Sequence, residues 1–179
     1  MAKLAEQFVE EWLNRRGYFT IRGIKVGVNE IDLLAIKPEA NGFEAKHIEV
    51  QVSFRPVSYI SKLSDEQLRN LGLKSKNSAA KRSVDVLKSG IREWTDKKYF
   101  SKKKTEMRDR VLRGTKWHFM LVHGVVKEPK ELEFIKAEGV ELIPFQKVLK
   151  ELRFDKNGFS GEAGTDIAEI IQYFSGHTE

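Results

Sequence analysis

Apolar side chains open the chain at helical spacing, with Leu4, Ala5, Phe8, Val9, Trp12 and Leu13 on one side of a wheel. The spacing predicts an amphipathic helix over residues 3 to 16, stopped by Gly17. The pattern then changes. Tyr18 to Val26, Glu30 to Ile36 and Phe43 to Ser53 are rich in β-branched and aromatic residues, and Gly27-Val28-Asn29 and Pro38 to Gly42 separate them. Three consecutive strands are expected, and their short links favour antiparallel neighbours.

Farther along, Ser64 with Gln67 reads as a capping box ahead of Leu68 and Leu71. Ser78 is placed to cap a longer helix, with Ala80, Val84, Leu87, Ile91 and Trp94 as its apolar stripe and Lys81, Asp85, Lys88 and Arg92 opposite. Lys97 to Arg110 holds seven basic and two acidic residues without a clear period. Trp117 to Val126 reads as a strand, Pro129 to Lys136 as a helix, Val140 to Ile143 as a short strand and Pro144 to Leu152 as a helix. A polar link from Asp155 to Gly164 then leads to a last helix from Asp166 to Phe174. This order describes an α/β or α+β domain with a mixed sheet.

With 179 residues, the chain suits a single domain. Without cysteine it has no disulfide, thiol nucleophile or thiolate metal site. Lys3, Glu6, Glu10 and Glu11 make the first helix neither a secretory signal nor a membrane span, so a cytoplasmic location and no membrane partner are expected. The net charge is +6. Its distribution is uneven: Arg55 to Lys116 has 18 basic and 7 acidic residues, whereas the rest has 14 and 19. Such segregation suits a phosphate-binding surface, and a solvated lysine-rich face is the plainer alternative.

Asp32 interrupts the apolar run Ile31 to Ile36, where an ionised carboxylate is costly unless paired with a cation or metal. Taken alone, it reads more simply as an exposed or salt-bridged acid at a strand end. In the third strand, Ile48, Val50 and Val52 take one face, while His47, Glu49, Gln51 and Ser53 take the other. A polar row on a central strand reads as the lining of a site. On the first helix Glu6 and Glu11 border the apolar face on opposite sides, and geometry does not choose between them. His118, His123 and His177 are too dispersed for a zinc site, and no glycine-rich phosphate loop is present.

Glu6, Gly17-Tyr18, Glu30 to Ala35 and Ile48-Glu49-Val50-Gln51, taken in order, resemble the PD-(D/E)XK nuclease core, most nearly that of archaeal-type Holliday junction resolvases and restriction endonuclease-like proteins. The likeness covers roughly residues 4 to 53, with Trp117 to Val126 as the fourth strand. It implies an α/β restriction endonuclease-like αβββαβ core at 3–54 and 115–153, a basic helical insertion at 55–114 and a C-terminal helix at 165–175. It also selects Glu6 over Glu11. One position departs from the family: Gln51 stands where Glu-X-Lys has lysine. Lys46 lies on the wrong strand face to replace it, and a lysine or arginine from the basic block is another source of charge.

The resemblance implies a metal-dependent endodeoxyribonuclease. Asp32, Glu49 and the Val50 carbonyl would bind Mg²⁺, with Mn²⁺ as substitute, and Gln51 would position the attacking water. Glu6 would hold a water or second metal. DNA is the expected partner, and a homodimer is compatible. Lys74, Lys76, Lys81, Arg82, Lys97, Lys98, Lys102, Lys103 and Lys104 would grip the backbone, while Tyr99 and Phe100 could stack on bases or pack in the core. A degenerate fold that binds DNA without cutting it, and an RNA-directed nuclease, are the alternatives.

Overall fold

The computed structural model describes residues 2–53 and 55–154, with Asp166, Glu169, Ile170 and Tyr173. The predicted link from Asp155 to Gly164 lies outside the described residues, as does the predicted C-terminal helix apart from those four positions. Helix α1 (Ala2–Asn14) is followed by β1 (Phe19–Val26), β2 (Asn29–Glu39) and β3 (Gly42–Gln51). Next come α2 (Asp65–Leu71), α3 (Val84–Thr95), a π-helical turn (Asp96–Phe100) and α4 (Lys102–Val111). The chain continues through β4 (Trp117–His123), α5 (Pro129–Ala137), β5 (Val140–Pro144) and α6 (Phe145–Phe154).

The five strands form one mixed sheet in the spatial order β1-β2-β3-β4-β5. The expected antiparallel meander is present in β1 to β3, and β3, β4 and β5 run parallel. Parallel neighbours need crossover connections that cover a sheet face. Residues 84–111 supply one and α5 the other. Ile91, Tyr99, Leu121, Ile135 and Val140 fill one cluster on that face, and Leu34, Ala45, Met107 and Trp117 belong to another. On the opposite face Val9, Trp12 and Leu13 of α1 meet Leu33, Ile48, Val50, Val148 and Leu152. Both faces of β2 and β3 are therefore buried, which explains the unbroken apolar run around Asp32. No described helix is long and apolar enough to cross a membrane.

The segment 55–114 carries core as well as charge, because Leu87, Ile91, Tyr99 and Met107 are buried. One sequence expectation needs correction, since Ser78 does not cap the long helix. Ser83 does so, accepting from the Val86 N–H at 3.4 Å, while the Ser78 carbonyl is held by Arg82. The capping box of Ser64 and Gln67 forms as expected.

Candidate active site

The β2–β3 ladder runs from Glu39↔Gly42 to Leu33↔Ile48. One further step of that register sets Asp32 across from Glu49, and directly opposed residues share a sheet face. The ladder is not continued there. Asp32 Oδ2 instead accepts the Val50 N–H at 2.8 Å, so a side chain takes over where the two strands part. On the other side of Asp32, Gly23 has a φ of 68° and drops out of the β1–β2 pairing. Only glycine adopts that conformation without strain, and the local kink frees Asp32 from a flat ladder.

Glu49 is 1% exposed and receives three donors. Lys104 Nζ lies 3.0 Å from Oε1, Lys98 Nζ 2.5 Å from Oε2, and His47 Nε2 3.1 Å from Oε1. The His47 tautomer follows from its other nitrogen. Arg108 only donates, and it reaches His47 Nδ1 at 2.9 Å, so the ring proton sits on Nε2 and points at Glu49. Burial lowers the His47 pKa to about 4, outweighing the hydrogen bond to Glu49, and keeps the ring neutral. Burial pushes Glu49 upward, but the His47 hydrogen bond and the charges of Lys98 and Lys104 outweigh it and hold the carboxyl at about 2.

Asp32 behaves oppositely. Burial and then the Glu49 charge raise it to about 7, against weaker lowering by Lys98 and the Val50 N–H. Two carboxylates with pKa values pushed this far apart are a recurrent sign of a functional site. Glu6, half-buried on α1, feels the same field: burial, then Glu30 and more weakly Glu49 raise its pKa. Glu11 is instead locked to Arg15 at 2.6 Å. The structure thus brings Asp32 and Glu49 together with Glu6 nearby, and sets Glu11 aside.

Lys98 and Lys104 were expected on the phosphate-facing surface. Lys104 is 4% exposed and also bonds the Glu30 carbonyl, which removes it from that surface. Lys98 projects from the π-helical turn, a rare geometry often found at functional sites. The turn is pinned by Tyr99, whose hydroxyl donates to the Met120 carbonyl at 2.9 Å, and by Arg108, which donates to the Tyr99 carbonyl at 2.7 Å. Tyr99 is fully buried and so cannot stack on a base. The one available sequence signal was the pair Tyr99-Phe100 inside a lysine cluster, which shows that the segment touches the core.

Arg82 also leaves the expected surface, being 6% exposed, bonded to Ser61 and stacked on Tyr59 at 3.8 Å. Lys74, Lys81, Lys97, Lys102 and Lys103 are exposed, and Lys76 is exposed but paired with Asp65. Gln51 lines two adjoining cavities of about 290 and 310 Å³, the first of which also reaches Lys97 and Lys98. The Val50 carbonyl lies between Glu49 and Gln51 in the chain.

No family model matches the chain, and no curated protein matches it. The crystal structure of AF1548, a protein of unknown function, is similar with a TM-score of 0.51 and 12% identity, covering 99% of this chain and 100% of that one. The likeness is one of fold. It agrees with an α/β architecture in which helices flank a five-stranded mixed sheet.

Asp32 and Glu49 carry carboxylate oxygens, the ligand type a hard divalent cation takes, and burial and then the Glu49 charge raise Asp32. Among the described residues no three His, Asp or Glu side chains gather into a metal cluster. An ion here would need a carbonyl or water oxygens beyond this pair, and would share Glu49 with Lys98, Lys104 and His47.

Proposed function

We propose that this chain is a metal-dependent endodeoxyribonuclease of the PD-(D/E)XK type, with a restriction endonuclease-like core. The observation that carries this reading is Asp32 meeting Glu49 where β2 and β3 part, with the Lys98 ammonium 2.5 Å from Glu49. Lys98 supplies, from the next helical layer, the positive charge that Gln51 cannot. Mg²⁺ or Mn²⁺, held by Asp32, Glu49 and the Val50 carbonyl, would polarise the scissile phosphate and acidify a water. His47 and Lys104 keep Glu49 ionised and fixed in direction. Lys98 donates toward a phosphoryl oxygen or the attacking water. In the reaction water oxygen bonds to phosphorus, one P–O ester bond breaks, and the departing oxygen takes up a proton. The exposed Lys97, Lys102 and Lys103 hold the flanking backbone.

A second reading, a DNA-binding or assembly protein without catalysis, draws on Gln51 and on the three donors already satisfying Glu49. Plasmid, branched DNA and RNA incubated with Mg²⁺, Mn²⁺ or chelator separate the two. The nuclease reading expects metal-dependent DNA cleavage that falls at least about a hundredfold in Asp32→Ala, Glu49→Ala and Lys98→Met, the scale of several kcal/mol of lost charge stabilisation. Tight binding with no cutting in any metal would sink it.

A further inference from the structure

Two cavities share Gln51, Ile60 and Lys62 as lining. One adds Trp94, Lys97 and Lys98, the last of which bonds Glu49 at 2.5 Å, while the other adds Ser58, Tyr59 and Asn77. The wall between them is held with unusual firmness for a connecting segment. Glu131 is fully buried and spends its carboxylate on that wall, accepting from Ile60 N–H at 2.5 Å, Ser61 N–H at 3.1 Å and Ser61 Oγ at 2.5 Å. Arg82 adds a bond to the Ser61 carbonyl at 3.0 Å. Gly90 lets α3 approach the same wall, because a Cβ there would sit 3.0 Å from Ser61 Oγ. Burying a carboxylate is costly, and three hydrogen bonds to a short loop offset that cost by fixing where the loop stands. Preorganised walls of this kind support recognition.

What the groove presents is suited to a nucleotide. Lys62, Lys97 and Lys98 outnumber the single acid Glu93, Trp94 offers an aromatic wall, and the Gln51 amide makes no hydrogen bond to another described residue. A base stacked in a duplex shows only its edges to a protein, and reaches a recess of this kind only when it leaves the stack. We propose that the groove takes one unpaired nucleotide next to the scissile phosphate, with Gln51 bonding the base edge, Trp94 against the ring and Lys62 on the phosphate. The inference rests on the cleavage reading above and names its substrate class: strands with an unpaired nucleotide, as in flaps and gaps.

Fluorescence anisotropy in chelator measures this without cleavage, using labelled single-stranded DNA, single-stranded RNA, a flapped duplex and a blunt duplex. The wild type is expected to bind the flapped and single-stranded DNA about tenfold or more tighter than the blunt duplex, the scale of stacking one base. Gln51→Leu, and separately the surface change Lys62→Ala, are expected to remove most of that preference while blunt-duplex binding moves less than about twofold. Preference for RNA over DNA identifies the nucleotide as a ribonucleotide and supports the groove. Equal binding of flap and blunt duplex, or variants that weaken both equally, overturns it. Asp32-dependent cutting of fully paired DNA without that preference removes the groove and leaves the nuclease. Gln51-dependent binding of unpaired strands that are never cut does the reverse, and binding of no nucleic acid overturns both.

Discussion

The same strands present two chemically different faces to their helices. Toward α1 and α6, β3 offers Ile48 and Val50, and these pack with Val9, Trp12, Leu13 and Val148 in an apolar cluster. Polar contacts there come from the helices and not from the strand: Glu11 pairs with Arg15 at 2.6 Å within α1, and Trp12 Nε1 donates to Glu151 of α6 at 2.7 Å. Toward α3 and α4 the alternate residues of β3 are His47 and Glu49, both buried, and they meet Lys98, Lys104 and Arg108. The first face gains stability from area removed from water, at about 25 cal/mol per Å². The second keeps charges in the interior, where a hydrophobic replacement of similar volume is often as stable. Stability alone does not account for such an arrangement, and the proposed chemistry belongs to the α3–α4 side.

Four measurements test that contrast, beginning with the largest effect. Glu49→Ala leaves Lys104 buried without its counter-ion and should destabilise the chain by about 3–5 kcal/mol in urea unfolding. The double change with Lys104→Met should recover much of that loss without restoring cleavage. If the double variant is as unstable as the single one, the network is not what Glu49 supports. On the apolar face, Leu13→Ala should cost about 3 kcal/mol through an unfilled cavity. DNA binding per folded molecule should be unchanged, and a matching loss of binding would mean the faces are not separable.

Asp32→Asn should act the other way. The folded Asp32 carboxyl is raised to about 7 from an ordinary 3.8. Between those values the folded chain keeps a proton that the unfolded chain releases, so its stability falls as pH rises through the window. Asparagine has no such penalty and can still accept the Val50 N–H. In chelator the variant should nearly match the parent below pH 4 and exceed it by about 4 kcal/mol near pH 8. A pH-independent difference would show that Asp32 ionises normally. The smallest effect belongs to the surface. Lys102→Ala with Lys103→Ala should alter stability by less than about 0.5 kcal/mol. The pair should still reduce the salt slope of DNA binding by about two, and an unchanged slope would remove these lysines from the interface.

Local periodicity sufficed for most of the fold. The helix at Leu4 to Leu13, the three-strand meander, the strand at Trp117 and the helix opened by Pro129 all follow from side-chain alternation, because burial of one face is written into neighbouring residues. The same alternation set Glu49 apart from Ile48 and Val50, and the short β2–β3 link brought Asp32 onto its side. The sequence could not say which lysines turn inward. Lys98 and Lys104 lie 49 and 55 residues from Glu49, in a stretch whose charge reads as surface. Only the crossover between two parallel strands folds that stretch over the sheet, and only a buried carboxylate makes it favourable for an ammonium to leave water there.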